Sequence, residues 1–353
     1  MTRPDPIAIS LEEGATLPAE WSLDPNILAL EQERVFGQSW QFACFTADIP
    51  RPGDYVTFSV GLARAIAVRD GDGGVRAFAN VCPHRGAQVV EEGCGHRMSL
   101  QCPYHAWTFD LDGSLRNAPR AERNPEFDPS AISLVAFRAA VHGPFVFVNP
   151  GTAAEPFAAV YKDWVAYCAE RGEDLSAWQR PGERRAWPIA ANWKTVIENN
   201  MECYHCPTNH QGLAARFDVT QDHVLEAFDC GCAYGVPDAD SQRLGVGVNY
   251  LWPNSFIAHL GESAAIVDQV LPVDAENAVY LRRYCFAENL SAVERVEQMA
   301  FWDAVAGEDQ ELCALVQRGM RSPYYRAGTM LPRTEAVIRH FHRFVHHALT
   351  AES

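Results

Sequence analysis

No stretch of this 353-residue chain approaches the roughly 18 uninterrupted apolar residues of a membrane-spanning helix, so no transmembrane anchor is expected. The first thirteen residues lack a basic segment followed by an apolar one. They are acidic and contain proline, which points to a cytoplasmic protein. Positive charge is scarce. Lys plus Arg number 29 against 45 Asp plus Glu, and the resulting net charge of −16 repels phosphate backbones and argues against nucleic-acid binding. Internal repeats and low-complexity runs are missing. A fully paired cysteine framework is also excluded, because eleven is an odd number, and in a cytoplasmic chain these residues are expected to be thiols or metal ligands. What remains is an ordinary globular composition, 48% apolar and 21% charged, long enough for about two domains.

The pattern changes along the chain. Short apolar-alternating runs predict strands over 55–60, 65–69, 75–80 and 144–148. They are separated by the turn sequences Pro52-Gly53-Asp54, Asp70-Gly71-Asp72-Gly73-Gly74 and Asp112-Gly113-Ser114. Residues 117–130, rich in proline and charge, read as a surface loop. After about residue 150, helical spacing over 157–170, 193–206, 291–320 and 334–349 mixes with strands over 244–258, 264–271 and 279–286. Ser291 with Glu294 three residues on is a capping-box opening for the long helix. The second half is therefore α+β.

Two short loops carry the first chemical signal. Cys82-Pro83-His84 is followed, after 17 intervening residues, by Cys102-Pro103-Tyr104-His105. Zinc fingers pair cysteine with cysteine and histidine with histidine locally. Here each loop offers one thiolate and one imidazole. That suits a Rieske 2Fe–2S centre, in which two cysteines hold one iron and two histidines the other. Cys82-Pro83-His84-Arg85-Gly86 with Cys102-Pro103-Tyr104-His105-Ala106-Trp107, then Phe109-Asp110-Leu111-Asp112-Gly113-Ser114-Leu115, resembles the Rieske domain of Rieske non-heme iron oxygenase α subunits.

The second signal lies in Asn192 to His210, with His205 and His210 five residues apart. On an unbroken α-helix that spacing turns the two rings about 140° from one another, so a distortion is required, and Pro207 lies where it would reshape the helix. A two-histidine iron site is completed by a carboxylate. On the helix predicted over 291–320, Phe301, Val305, Ala306, Leu312, Cys313 and Val316 form an apolar arc with Asp309 near its middle. Glu308 falls at the edge of that arc and Asp303 off it, so Asp309 is the preferred ligand. Cys203 and Cys206 also form a C-x2-C pair, but interleaved with a ligand histidine a zinc or redox use is less economical. His340, His342, His346 and His347 read as surface or core-edge residues of the last helix.

The resemblance implies more than spacing does. It implies an α+β architecture: an all-β Rieske domain over 40–150, a catalytic domain over 151–353 with a central antiparallel sheet flanked by helices in helix-grip fashion, and an N-terminal helical segment over 1–39 packed on the latter. It implies a terminal oxygenase using O2, a mononuclear Fe(II) and electrons from NAD(P)H. These arrive through a separate flavin/iron–sulfur reductase. It also implies a homotrimer, or a hexamer of two trimers, in which the cluster of one subunit serves the iron of the next. Glu202 stands where the family carries a bridging acid, more often Asp. Glu here is shared with members acting on quaternary ammonium compounds such as carnitine and glycine betaine, and Glu202-Cys203-Tyr204-His205-Cys206 is similar to theirs. Oxidative N-demethylation or C–N cleavage of a methylated ammonium compound is therefore expected, with ring hydroxylation or O-demethylation of an aromatic as the alternative. Tyr250, Trp252, Asn254 and Phe256 alternate along one predicted strand. They read either as core or as a substrate-pocket wall able to hold a cation or a flat ring. A pure electron-transfer Rieske protein and a zinc-stabilised binding module are the competing classes.

Overall fold

The structure is a computed structural model and describes residues 14–171, 181–221, 223–237, 244–260, 264–287 and 290–351. The acidic start of the chain lies outside them. Two compact units emerge, one from residues 36–157 and the other from the residues before 36 together with those after 157.

The first unit is built on a seven-stranded antiparallel sheet in the order Gln41–Phe45, Phe145–Asn149, Ala136–His142, Val75–Ala79, Ala63–Arg69, Asp54–Val60, Cys94–His96. Its edges fall at 36 and 157, a few residues outside 40 and 150, because the flanks are tied in. Gln41 Nε2 donates to the Phe36 carbonyl, Asn149 Nδ2 to that of Gln38, and the Trp40 and Phe157 rings meet edge to face. Strand alternation sorts the core into two layers. Ile66 and Val68 pack with Phe78, Cys82, Cys102 and Phe109, whereas Ala65 and Ala67 pack with Val56, Phe58, Val146 and Val148. The first layer places both cysteines under the sheet. A second, three-stranded sheet (Leu100–Gln101, Thr108–Phe109, Leu115–Asn117) carries the second metal-motif loop. The Asp112-Gly113-Ser114 turn needs its glycine: φ is +91° and a Cβ would meet the Phe78 ring at 2.4 Å. Residues 117–130 are mostly exposed and hold the short 3₁₀ turn Ala121–Arg123.

The second unit contains a seven-stranded antiparallel sheet in the order Pro181–Ile189, Asn277–Phe286, Ala264–Asp274, Ser255–His259, Leu244–Leu251, Gly231–Pro237, Val224–Phe228. Helices flank it, so the chain as a whole is α+β. The helix Ala292–Met320 opens with the anticipated capping box: Ser291 Oγ accepts from Glu294 N–H and Glu294 accepts from Ser291 N–H. The last helix, Ala336–Thr350, buries Val337, Ile338, Phe341, His342, Val345 and Leu349 in one stripe. Among the described residues no helix is long and apolar enough to cross a membrane.

One buried pair fixes the amino-terminal segment to this unit. Lys194, one of only two lysines in the chain, is fully buried and donates to Glu31 Oε1 at 2.6 Å. Glu31, equally buried, ends the helix Pro25–Glu31, and its other oxygen accepts from Trp193 Nε1 at 2.7 Å.

Two predicted elements differ. The helix expected over 193–206 stops at Asn200. Glu202 then folds its carboxylate onto the Tyr204 and His205 backbone N–H groups, taking donors a continuing helix would have used. The strand expected over 244–258 is two strands, with Tyr250 paired across a hairpin to Phe256. Pro253 lacks the N–H that would continue the ladder, and Trp252–Asn254 form the turn.

Candidate metal centres and cavity

The two Cys-x-x loops of the first unit are built alike. Cys82 N–H donates to the Ala87 carbonyl and Gly86 N–H returns to Cys82. In the same way Cys102 N–H donates to the Trp107 carbonyl and Ala106 N–H returns to Cys102. Both turns close through a left-handed residue, Gly86 at φ +74° and Ala106 at φ +58°. Glycine adopts that region freely, whereas alanine is strained there. The two cysteines are buried and neighbouring. Burial pushes the Cys82 thiol up, and Cys102 beside it adds to the shift. His84 and His105 are partly exposed, with ring centroids 4.6 Å apart, and Trp107 stacks on His84 at 4.7 Å. Burial and the charges of His84 and Arg85 hold the His105 imidazole below its usual range, keeping it neutral for use as a ligand. Inner sulfurs and outer imidazoles match the donor set of a Rieske cluster.

In the second unit, the chain after Asn200 forms the short helix Cys206–Asn209, with Pro207 in its first turn and His205 and His210 at its two caps. Because both histidines flank the helix, the 140° divergence never arises. Their Nε2 atoms lie 3.1 Å apart. Asp309 reaches in from the Ala292–Met320 helix, its Oδ1 lying 3.2 Å from His205 Nε2 and 2.9 Å from His210 Nε2. Three donors at right angles around one ion, with bonds of about 2.1 Å, would be about 3 Å apart. The set therefore fits a two-histidine, one-carboxylate metal.

The back of each imidazole is held as well. His205 Nδ1 bonds the Glu202 carboxylate, and His210 Nδ1 lies 2.7 Å from Glu308 Oε2. Each carboxylate selects the tautomer that aims an Nε2 lone pair at the centre. Glu308, weighed in the sequence only as a rival ligand, thus orients His210. Asp303 lies elsewhere, accepting from Tyr284 OH and Arg185. Cys206 has its sulfur within 4.8 Å of donor atoms of both imidazoles, but that sulfur is bonded to Cys203. This corrects the expectation of thiols or metal ligands at these two positions: the non-helical turn brings the two Cα atoms to 4.9 Å, and the other nine cysteines form no disulfide.

Charge at this centre is strongly coupled. Burial disfavours the His205 imidazolium, yet hydrogen bonds and attraction from Asp309 and Glu202 outweigh it and push His205 up to about 9. His210 is raised against the same burial by Asp309 and Glu308, and Asp309 is lowered by both rings. Below about pH 9, metal entering the iron-free chain must therefore displace a proton from His205. Apparent Fe(II) affinity should rise at least about tenfold per pH unit from 6.5 towards 9, with proton release measurable by calorimetry in buffers of different ionisation enthalpy. An affinity flat across that range would contradict the arrangement.

A cavity of about 480 Å³ opens on the triad. Its walls include Asn199, Leu213, Phe217, Val219, Tyr234, Val248, Trp302 and Val305. Tyr250, Trp252, Asn254 and Phe256, read as either core or pocket wall, are not among its lining residues. All four are buried, and Tyr250 and Trp252 pack against the last helix. Tyr250 packs on Phe256 and Phe341, Trp252 on Phe344, and Asn254 Nδ2 donates to the Val270 carbonyl. His342 also departs from the sequence reading. It is fully buried, with Nε2 2.8 Å from Glu198 Oε1.

Comparison with known proteins gives consistent results. Residues 39–132 match the Rieske [2Fe-2S] domain, and residues 175–235 and 235–351 match the ring hydroxylating alpha subunit catalytic domain. Choline monooxygenase of Amaranthus tricolor is 32% identical, over 97% of this chain and 79% of that protein. The carnitine monooxygenase oxygenase subunit of Escherichia coli K12 is 29% identical, over 97% and 96%. Among solved structures, the quaternary ammonium Rieske monooxygenase CntA in complex with L-carnitine superposes with a TM-score of 0.84 at 26% identity, covering 99% of both chains. Naphthalene 1,2-dioxygenase from Rhodococcus sp. shares the fold, with a TM-score of 0.80 at 19% identity.

Proposed function

Since this chain belongs to the Rieske-type ring-hydroxylating oxygenase α subunits, we propose that it oxidises a small methylated ammonium compound by N-demethylation or C–N cleavage, as the terminal oxygenase of a monooxygenase system. The observation that carries this reading is the His205–His210–Asp309 triad opening on a cavity walled by Phe217, Tyr234 and Trp302.

In this reading Cys82, His84, Cys102 and His105 hold the 2Fe–2S cluster, and His205, His210 and Asp309 hold the mononuclear iron. When bound, the cluster supplies single electrons and the iron supplies O2 activation for insertion into a substrate C–H bond. The residues do the rest. Glu202 and Glu308 keep both imidazoles in the ligating tautomer. The aromatic walls attract a methylammonium through their π faces, on the order of 0.5–2 kcal/mol per ring, and exclude water from the reacting carbon. Hydroxylation at an N-methyl carbon leaves a hemiaminal that breaks to an aldehyde and an amine. Glu202 bridges to the cluster of a neighbouring subunit in a trimer, and a flavin/iron–sulfur reductase passes electrons from NAD(P)H. The cytoplasm is the proposed location.

A substrate panel with a reductase tests the reading. Aldehyde release and amine formation from methylated ammonium compounds are expected. Diol or phenol products from arenes, with every ammonium compound untouched, would overturn it. Glu202→Gln keeps the shape of the side chain but loses the charge on His205 Nδ1. Stopped-flow at the visible band of the cluster should show normal reduction by the reductase. Reoxidation on substrate and O2 should be about 10–100-fold slower. Wild-type reoxidation in the variant would remove Glu202 from the electron path.

A further inference from the structure

The cavity carries an imbalance of charge that the triad does not explain. Three acids line it, and each is engaged. Asp309 faces both imidazoles, Glu202 holds His205, and Asp218 accepts from Thr220 and Gln221 at 2.6 and 2.8 Å. Those bonds keep Asp218 ionised, below the usual carboxylate range, and leave it committed to its own turn. Arg216 lines the same cavity, and its guanidinium carbon lies 3.8 Å over the centroid of the Phe301 ring. Stacking fixes the plane of the guanidinium while leaving its N–H edge available. Among the described residues no carboxylate pairs with it. Arg216 is an exposed residue, so its guanidinium can meet an anion that enters the cavity from solvent.

We propose that Arg216 binds a substrate carboxylate, making this enzyme selective for ammonium compounds that carry an acid group, betaines in the chemical sense, over those that end in an alcohol. The proposal rests on the reading of the cavity as the substrate site. The trimethylammonium end lies against Trp302 and Phe217 near the triad, and the carboxylate meets the N–H edge of Arg216. A planar fork recognises a carboxylate through paired N–H···O bonds, which a hydroxyl cannot match. The two curated relatives differ by name in this functional group, choline having an alcohol and carnitine an acid. Overall identity, 32% and 29%, does not separate them.

The test is equilibrium binding by calorimetry on the full-length holoprotein, with γ-butyrobetaine, its methyl ester and choline as probes. Wild type should bind γ-butyrobetaine about tenfold to a hundredfold more tightly than the ester. Arg216→Gln should collapse that ratio to near one, and Arg216→Lys, which keeps the charge without the fork, should restore part of it. Thermal melting of each variant and the visible band of the cluster check folding. If Arg216→Gln does not fold, the Arg216→Lys ratio decides alone, and an unchanged ratio counts against the proposal. Equal wild-type affinity for acid and ester, or a ratio that survives Arg216→Gln, overturns it while turnover of choline keeps the oxygenase reading intact. If wild type neither binds nor oxidises any of the three, that reading fails with it.

Discussion

Asp309→Ala should reduce turnover about a thousandfold or more and lower bound iron from about three atoms per chain to about two, leaving a cluster that the reductase still reduces. Asp309 is the only carboxylate facing both Nε2 atoms among the described residues. Without it, two imidazoles with Nε2 atoms 3.1 Å apart offer too few donors and no negative charge to a divalent ion. Asp309→Asn separates the contributions, because it retains an oxygen donor but not the charge, and should fall between the two. Metal analysis alongside the visible spectrum is decisive. A fully loaded, active Asp309→Ala enzyme would falsify the assignment of this centre.

The second large effect lies away from the chemistry. Glu31→Ala strands the Lys194 ammonium in a fully buried position and removes the acceptor of Trp193 Nε1. Breaking a buried pair on one side costs about 3–5 kcal/mol, enough to threaten a fold of ordinary stability. Replacing both residues by methionine should recover most of that loss, since the burial penalty disappears with the charges. Urea unfolding of the single and double variants measures the difference. A loss under about 1 kcal/mol for Glu31→Ala would show that water reaches Lys194. Trp193 and Lys194 open the helix that leads into the ligand loop. The single variant should therefore also lose mononuclear iron before cluster iron as denaturant rises.

What the sequence disclosed, and what it withheld, follows from the range of the interactions concerned. The Cys82–His84 and Cys102–His105 loops are legible because each candidate ligand pair is local and its spacing is chemical. Asp309 is legible because helical periodicity places a carboxylate in an apolar arc, a conflict that only a partner resolves. The capping box at Ser291 is equally local. The contact of Glu308 with His210 Nδ1 is not legible. Whether the Glu308 carboxylate meets Nδ1 or faces Nε2 depends on how the His210 ring is turned, and that ring follows the helix end at Asn200, about a hundred residues earlier. The helix end at Asn200 depends on one side chain, Glu202, outcompeting the helix for N–H groups, a contest that propensity does not reveal. For Tyr250 to Phe256, alternation left core and pocket wall both open, because a shared face holds only while the strand continues, and Pro253 ends it. The burial of His342 against Glu198 is a tertiary pairing with no signal in the spacing of the last helix.

The division of labour at the mononuclear site has a consequence for biogenesis. Glu202, His205 and His210 ride on nine consecutive residues, while Asp309 arrives about a hundred residues later on a helix that must itself dock. On the ribosome the histidine turn emerges first, and until the Ala292–Met320 helix has been made and has docked, Asp309 does not face the two Nε2 atoms. Capture of an ion by all three groups therefore has to follow folding of this unit rather than precede it.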